Sequence, residues 1–114
     1  MAGYLTTHVL DTAQGRPAAG LSITLFRIEG GTRHEIAHAV TNADGRTDGP
    51  ILPEGDFATG EYELVFAAGA YLAAAGLPNP FLADVPVRFR MAEDSHYHVP
   101  LLLSPFGYST YRGS

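Results

Sequence analysis

Short stretches of alternating apolar and polar residues, each ended by Gly, Pro, Asn or Asp, recur from one end of this chain to the other. A period of two sets alternate side chains on opposite faces of a strand, so the pattern restricts the chain to an all-β architecture. Residues 4–10 give the first strand, with Leu5, Thr7 and Val9 on one face and Tyr4, Thr6, His8 and Leu10 on the other. Gly15-Arg16-Pro17 reads as a loop, residues 21–28 as a second strand, Gly30-Gly31 as a hairpin turn and residues 35–41 as a third strand. Asn42-Ala43-Asp44-Gly45-Arg46 carries a strong Asp-Gly turn signal. Residues 50–60 read as irregular with a short edge strand, and residues 61–66 alternate again, with Tyr62, Leu64 and Phe66 on one face. The Ala-rich residues 67–75 make the one helix, stopped by Gly76 and Pro78. Strands over 84–91, 96–103 and 108–112 follow, the last two joined by Ser104-Pro105-Phe106-Gly107. Eight strands and one short helix predict a two-sheet β-sandwich, formed by a single domain over residues 1–114.

Of the 114 residues, 46% are hydrophobic and only 17% charged, below the roughly 25% charge of average soluble chains. Ala and Gly enrichment accounts for part of this, so composition alone gives only a slight lean toward surface covered by another subunit. The net charge is −5, and the seven basic residues are all arginines scattered along the chain, which argues against nucleic acid as a partner. Cysteine is absent, so disulfides, thiolate ligands and thiol nucleophiles are excluded. The first residues show no basic segment leading into an apolar run, and the longest apolar stretch, residues 66–77, is too short and Ala/Gly-rich to span a bilayer. A cytoplasmic chain is the expectation.

Parity separates the residues that can carry chemistry. On the strand over 96–103, Tyr97, Val99, Leu101 and Leu103 form the apolar core face, so His96, His98, Pro100 and Leu102 look away from it. An apolar face that is not the core face is a partner surface or a lined cleft. His8 likewise stands opposite Leu5 and Val9. The two histidines converge if their strands are neighbours or if subunits pair, and imidazole can then serve as base, acid or hydrogen-bond donor near neutral pH. Taken singly, a strand histidine is ordinarily a surface or packing residue, and His34 and His38, in and beside a hairpin, read as solvated. His96 and His98 share a face as a metal pair would, but no acidic or thiolate third ligand stands at a matching spacing. Arg46 is either a solvated turn residue or a fixed cation for an oxygen-rich planar ligand, and Arg112 has the same two readings. Ser104, Ser109 and Thr110 lack a Gly-x-Ser-x-Gly setting for a nucleophile. The final segment carries Tyr108, Tyr111 and Arg112 almost to the last residue, so it is expected to pack and to hold Ser114 in place.

Three segments together carry a resemblance: Leu5-Thr6-Thr7-His8-Val9-Leu10-Asp11, Thr41-Asn42-Ala43-Asp44-Gly45-Arg46, and the closing HYHVPLLLSPFGYSTYRGS. The chain resembles the 5-hydroxyisourate hydrolases, the transthyretin-related enzymes of purine breakdown, over essentially its whole length. The most specific piece is Tyr111-Arg112-Gly113-Ser114, the hallmark separating these hydrolases from the hormone-carrying transthyretins. The resemblance implies a transthyretin-like sandwich and a homotetramer, a dimer of dimers, with active sites in the channel between dimers. It implies hydrolysis of 5-hydroxyisourate to 2-oxo-4-hydroxy-4-carboxy-5-ureidoimidazoline without metal or organic cofactor. The family's site residues fall on His8, Arg46, His98, Tyr111 and Ser114, with His8, Arg46, His98 and Ser114 expected in catalysis and His8, Arg46 and Tyr111 in substrate binding. Two other classes remain open: a transthyretin-type carrier of an aromatic ligand, and a β-sandwich adhesion module. Neither gives a reason to combine His8, Arg46, His98 and the Tyr-Arg-Gly-Ser end.

Overall fold

The alternation is realised strand by strand. In the first strand, β1 (Tyr4–Asp11), Leu5, Thr7, Val9 and Asp11 are buried while Tyr4, Thr6, His8 and Leu10 are half-buried on the other face. The computed structural model describes residues 2–113, and in it two four-stranded sheets pack face to face. After β1 come β2 (Arg16–Pro17), β3 (Ser22–Glu29), β4 (Thr32–Val40), β5 (Gly60–Phe66), helix α1 (Ala68–Ala74), β6 (Val85–Met91), β7 (His96–Ser104) and β8 (Gly107–Thr110). One sheet has the order β2-β1-β7-β8 and the other β4-β3-β5-β6. Leu5, Val9, Leu101 and Leu103 from the first sheet meet Ile23, Leu25, Leu64 and Phe66 from the second, all fully buried. Burial of this apolar area is the main term holding the layers together.

Three sequence expectations are corrected. Gly15-Arg16-Pro17 is not wholly loop, because Arg16 and Pro17 pair with Asp11 and Leu10 as a two-residue edge strand. Residues 50–59 form no strand: they hold a 3₁₀ turn at Glu54–Asp56, and only Leu52 pairs, in a single bridge to Leu5, before β5 begins at Gly60. The last strand ends at Thr110 rather than at 112. Pro100 explains that end. The His98 carbonyl accepts a hydrogen bond from the Gly113 N–H, so His98, Pro100 and Leu102 turn their backbone polar groups toward β8. Pro100 has no N–H to give, and its carbonyl accepts from the Thr110 hydroxyl at 2.8 Å instead, so the ladder breaks there. The hairpin fares as expected: Gly30 and Gly31 both have positive φ, at 57° and 80°.

Helix α1 stops where Gly76 and Pro78 place its end. Gly76 sits at φ 72°, its N–H reaches the Ala73 carbonyl, and the Leu77 N–H reaches the Leu72 carbonyl, which together make a Schellman cap. Tyr71 then fastens the helix to the far sheet: its hydroxyl donates to Oδ2 of the buried Asp11 at 2.6 Å. Asp11 also accepts the Gln14 backbone N–H at 2.9 Å and the Gln14 side-chain amide at 2.7 Å, closing the turn between β1 and β2. Burial pushes the Asp11 carboxyl upward, but the hydrogen bonds from Tyr71, Gln14 and Ala13 outweigh it and hold the group below its usual value. Burial, with the Asp11 hydrogen bond and charge, pushes Tyr71 up to about 12, so the hydroxyl stays a donor.

Tyr71→Phe should therefore cost about 1.5–3 kcal/mol, the range for a hydrogen bond to a charged group, measured by urea unfolding near pH 7. Because the folded Asp11 pKa is depressed, the wild-type advantage is full above the unfolded carboxyl value and lost as pH falls through the folded one. A difference that persists undiminished at pH 2 would assign the cost to packing instead.

Candidate active site

The neighbour relation that the sequence leaves open is supplied by one ladder. β1 and β7 lie side by side and parallel, with Thr6 opposite His98 and His8 opposite Pro100. Both strands turn Tyr97, Val99, Leu101, Leu5 and Val9 inward, so Thr6, His8, His96 and His98 share the outer face of one sheet. The His8 and His98 ring centroids are 6.5 Å apart and the planes tilt by 37°. Arg46 arrives from the other side of β1. The Asn42 side-chain oxygen accepts the N–H groups of Asp44 and Arg46, at 2.9 and 3.2 Å, and sets the turn. Gly45, at φ 74°, accepts the Val9 N–H on its carbonyl at 2.8 Å, and a Cβ there would collide with the Val9 carbonyl oxygen. The turn thus lies flush on β1, and Arg46 pairs with His8 in an isolated bridge.

Electrostatics follow from this arrangement. Burial lowers the His8 pKa, and the Arg46 charge lowers it further, against an opposing pull from the Asp44 backbone and carboxylate. Burial likewise lowers His98, followed by the charges of Arg46, His96 and His8. Both shifts favour the neutral imidazole, and the two rings stand beside an exposed guanidinium. Such a face can remove a proton from water and stabilise a developing oxyanion.

The chain end is placed residue by residue. The register that pairs Leu101 with Thr110 also pairs His98 with Gly113, so Tyr111 stands opposite Pro100 and Arg112 opposite Val99. Tyr111 is 59% exposed and lines a cleft with Val87, Phe89, Tyr97 and Val99, while Arg112 lays its guanidinium over the Tyr97 ring at 4.1 Å. The packing expected of the end is thus met by Arg112 and Gly113, while Tyr111 stays open. Ser114 lies outside the described residues. His34 and His38 are exposed on β4, away from this face. Among the described residues no three His, Asp or Glu side chains form a group that could hold a metal ion.

Two features escape a reading of the sequence. A Cβ on Gly113 would lie 2.7 Å from His98 Cδ2, so the absence of a side chain lets the chain end cross against the imidazole. The Thr6 hydroxyl lies 2.8 Å from His98 Nδ1 and 2.7 Å from His96 Nε2. Parity already put Thr6 on the histidine face; what was missing was the identity of the neighbouring strand.

A two-sheet sandwich with this outer face defines a class, and comparison with known proteins agrees. Residues 5–113 match the HIUase/Transthyretin family model, and the chain belongs to that family. It is 66% identical to 5-hydroxyisourate hydrolase 2 of Rhizobium meliloti, with 98% of this chain and 97% of the relative aligned. Among solved structures, 5-hydroxyisourate hydrolase of Klebsiella pneumoniae superposes with a TM-score of 0.82 at 37% identity, covering 98% of this chain and 94% of that one. (S)-allantoin synthase superposes with a TM-score of 0.92 at 46% identity over 98% of this chain, which spans only 44% of that protein.

Replacing Arg46 by Gln should raise the titration midpoints of both His8 and His98, read from their ring proton NMR signals, because a positive charge beside each ring is removed. Unmoved midpoints would mean that the guanidinium acts on neither ring. Gly113→Ala should shift the His98 signals in the same spectra without unfolding the protein; an unchanged His98 would show that the end segment can yield.

Proposed function

We propose that this chain hydrolyses 5-hydroxyisourate to 2-oxo-4-hydroxy-4-carboxy-5-ureidoimidazoline in urate breakdown. The observation that carries the reading is the pair of imidazoles, His8 and His98, with ring centroids 6.5 Å apart, meeting beside Arg46 on one sheet face, where burial and the Arg46 charge lower both pKa values. The hydrolases among its relatives, one 66% identical along nearly all of both chains, support the same reaction. A ligand carrier has no need of two unprotonated bases next to a fixed cation.

In this scheme water adds to a ring carbonyl of the bicyclic substrate and the adjacent C–N bond opens. His98 and His8 position the water, take its proton and return one to the leaving nitrogen. Arg46 orients the oxygen-rich substrate and offsets the oxyanion with paired N–H donors. Tyr111 and Ser114 close the pocket and add hydrogen bonds. The scheme calls for no cofactor. The site face carries Leu10, Pro100 and Leu102 beside the histidines, an apolar surface suited to a second copy of the chain. A homotetramer, a dimer of dimers with the sites in the channel between them, would cover it.

The test is an ultraviolet time course of 5-hydroxyisourate made freshly from urate. The protein should accelerate decay of the substrate signal, and decay at the spontaneous rate would remove the hydrolase reading. His98→Ala and Arg46→Ala should each lower kcat on the order of 100-fold while light scattering still reports a tetramer. Loss of assembly in those variants would make the residues structural. Deleting residues 111–114 should abolish turnover.

A further inference from the structure

One hydroxyl lies between two imidazoles. Thr6 Oγ1 is 2.7 Å from His96 Nε2 and 2.8 Å from His98 Nδ1, both hydrogen-bond distances. A threonine hydroxyl brings a single hydrogen. Each of the two bonds needs one, so one ring nitrogen must donate to Oγ1 while Oγ1 donates to the other. Two arrangements satisfy this. In one, His96 Nε2–H donates to Oγ1 and the hydroxyl donates to His98 Nδ1; a neutral His98 then carries its proton on Nε2. In the other, His98 Nδ1–H donates to Oγ1 and the hydroxyl donates to His96 Nε2; a neutral His98 then has a free Nε2 lone pair.

We propose that the Thr6 hydroxyl is a proton bridge, and that His96 stores the proton which His98 takes from the attacking water. The proposal rests on the hydrolase reading for its reaction. The step starts from the second arrangement. An O–H bond of water breaks and an N–H bond forms at His98 Nε2. The Nδ1 proton of His98 moves to Thr6 Oγ1, and the hydroxyl proton moves to His96 Nε2. His98 ends neutral, Thr6 unchanged, His96 positively charged, and the hydroxide has joined the substrate carbonyl. The reverse sequence delivers the proton to the leaving nitrogen as the C–N bond breaks, so no net proton is consumed.

The surroundings favour His96 as the store. His98 faces the charge of Arg46 and the ring of His8. His96 instead stacks on the Tyr4 ring, with centroids 4.1 Å apart and planes within 5°, an aromatic surface that accepts a cation. Arg112 approaches His96 only at its backbone carbonyl, at 3.3 Å, with its guanidinium on the Tyr97 side, and Asp94 stands two residues before His96 in the turn from β6. The bridge therefore shifts positive charge from the Arg46 side of the site to the Tyr4 side at the moment an oxyanion forms near Arg46. Thr6 and His96 are positioning residues in this scheme, acting through His98.

The experiment compares wild type with Thr6→Val, which replaces the hydroxyl by a methyl group of similar size, and Thr6→Ser, which keeps a hydroxyl. Rates are measured in mixtures of H₂O and D₂O. Wild type should give a curved dependence of kcat on deuterium fraction, the mark of more than one proton in flight. Thr6→Val should lower kcat at least tenfold with KM unchanged and give a straight line, and Thr6→Ser should recover both rate and curvature. A Thr6→Val enzyme that keeps wild-type kcat, or loses rate but keeps the curvature, overturns the bridge. Nitrogen NMR of the rings reads the bridge without turnover. When the pair takes up its first proton, wild-type His98 should switch from Nδ1–H to Nε2–H, and Thr6→Val should not follow. If wild type hydrolyses nothing, the hydrolase reading fails and this tautomer switch alone decides the bridge; a wild-type His98 that keeps one tautomer overturns it.

Discussion

Everything at the site depends on β1 and β7 lying next to each other in parallel. That pairing brings the outward faces of two strands into one surface, and its register sets Thr6 against His98. A slip of one residue would turn every side chain of one strand to the opposite face. His8 would then enter the core and Val9 would take its place on the outer face. The register is protected by the core itself, since Leu5, Val9, Leu101 and Leu103 are all fully buried and none could be exposed without loss. The same hydrophobic constraint that builds the sandwich therefore fixes the distance between the imidazoles.

The two outer faces of the sandwich differ in kind. On the sheet β4-β3-β5-β6, Glu63 accepts Arg33 at 3.0 Å and Arg88 at 3.2 Å, and Arg88 also approaches Glu61 at 4.0 Å. Glu63 is itself buried beneath the two arginines, whose half-exposed guanidinium groups make the outer layer of that face. The face of the sheet β2-β1-β7-β8 carries Tyr4, Thr6, His8, Leu10, His96, His98, Pro100 and Leu102, with no carboxylate on β1 or β7 looking outward. There the Asp44 carboxylate beside His8 is outweighed by burial and by the charge of Arg46, which is held by a turn whose backbone is bonded to β1. The low overall charge of the chain is thus distributed unevenly, with the charge pairs on one sheet and the site on the other.

How much of this could be read from the residues depends on the range of the information needed. Local patterns sufficed for the faces of β1 and β7, for the Gly30-Gly31 hairpin, for the helix stop at Gly76 and for the turn carrying Arg46. Each of these follows from the period of a strand or the φ of a glycine. The resemblance carried by three separated segments named the family and offered the candidate site residues. Parity alone could not say that β1 neighbours β7, so the hydrogen bonds of Thr6 to His96 and His98 stayed invisible. Neither could it say that Pro100 would end the β8 ladder, because the missing N–H matters only once its direction toward β8 is known. The segment 50–60 misled for the opposite reason: its apolar Ile51 and Leu52 are buried by tertiary packing without strand pairing beyond one bridge. Gly113 shows the limit most simply, since a glycine near a chain end reads as nothing until His98 is found beneath it.

The ladder between β1 and β7 also has a consequence in time. Its partners are about ninety positions apart, so a chain emerging from the ribosome completes its first strand long before the mate exists. Long-range parallel pairing must meet the entropy of closing that loop before any contact rewards it, which sets folding on the order of milliseconds to seconds. Until then β1 presents an unpaired edge and an apolar face. The site is consequently a late product of folding: chemistry begins only when the last strands have closed on the first, and a chain interrupted anywhere before them has no partial activity to release.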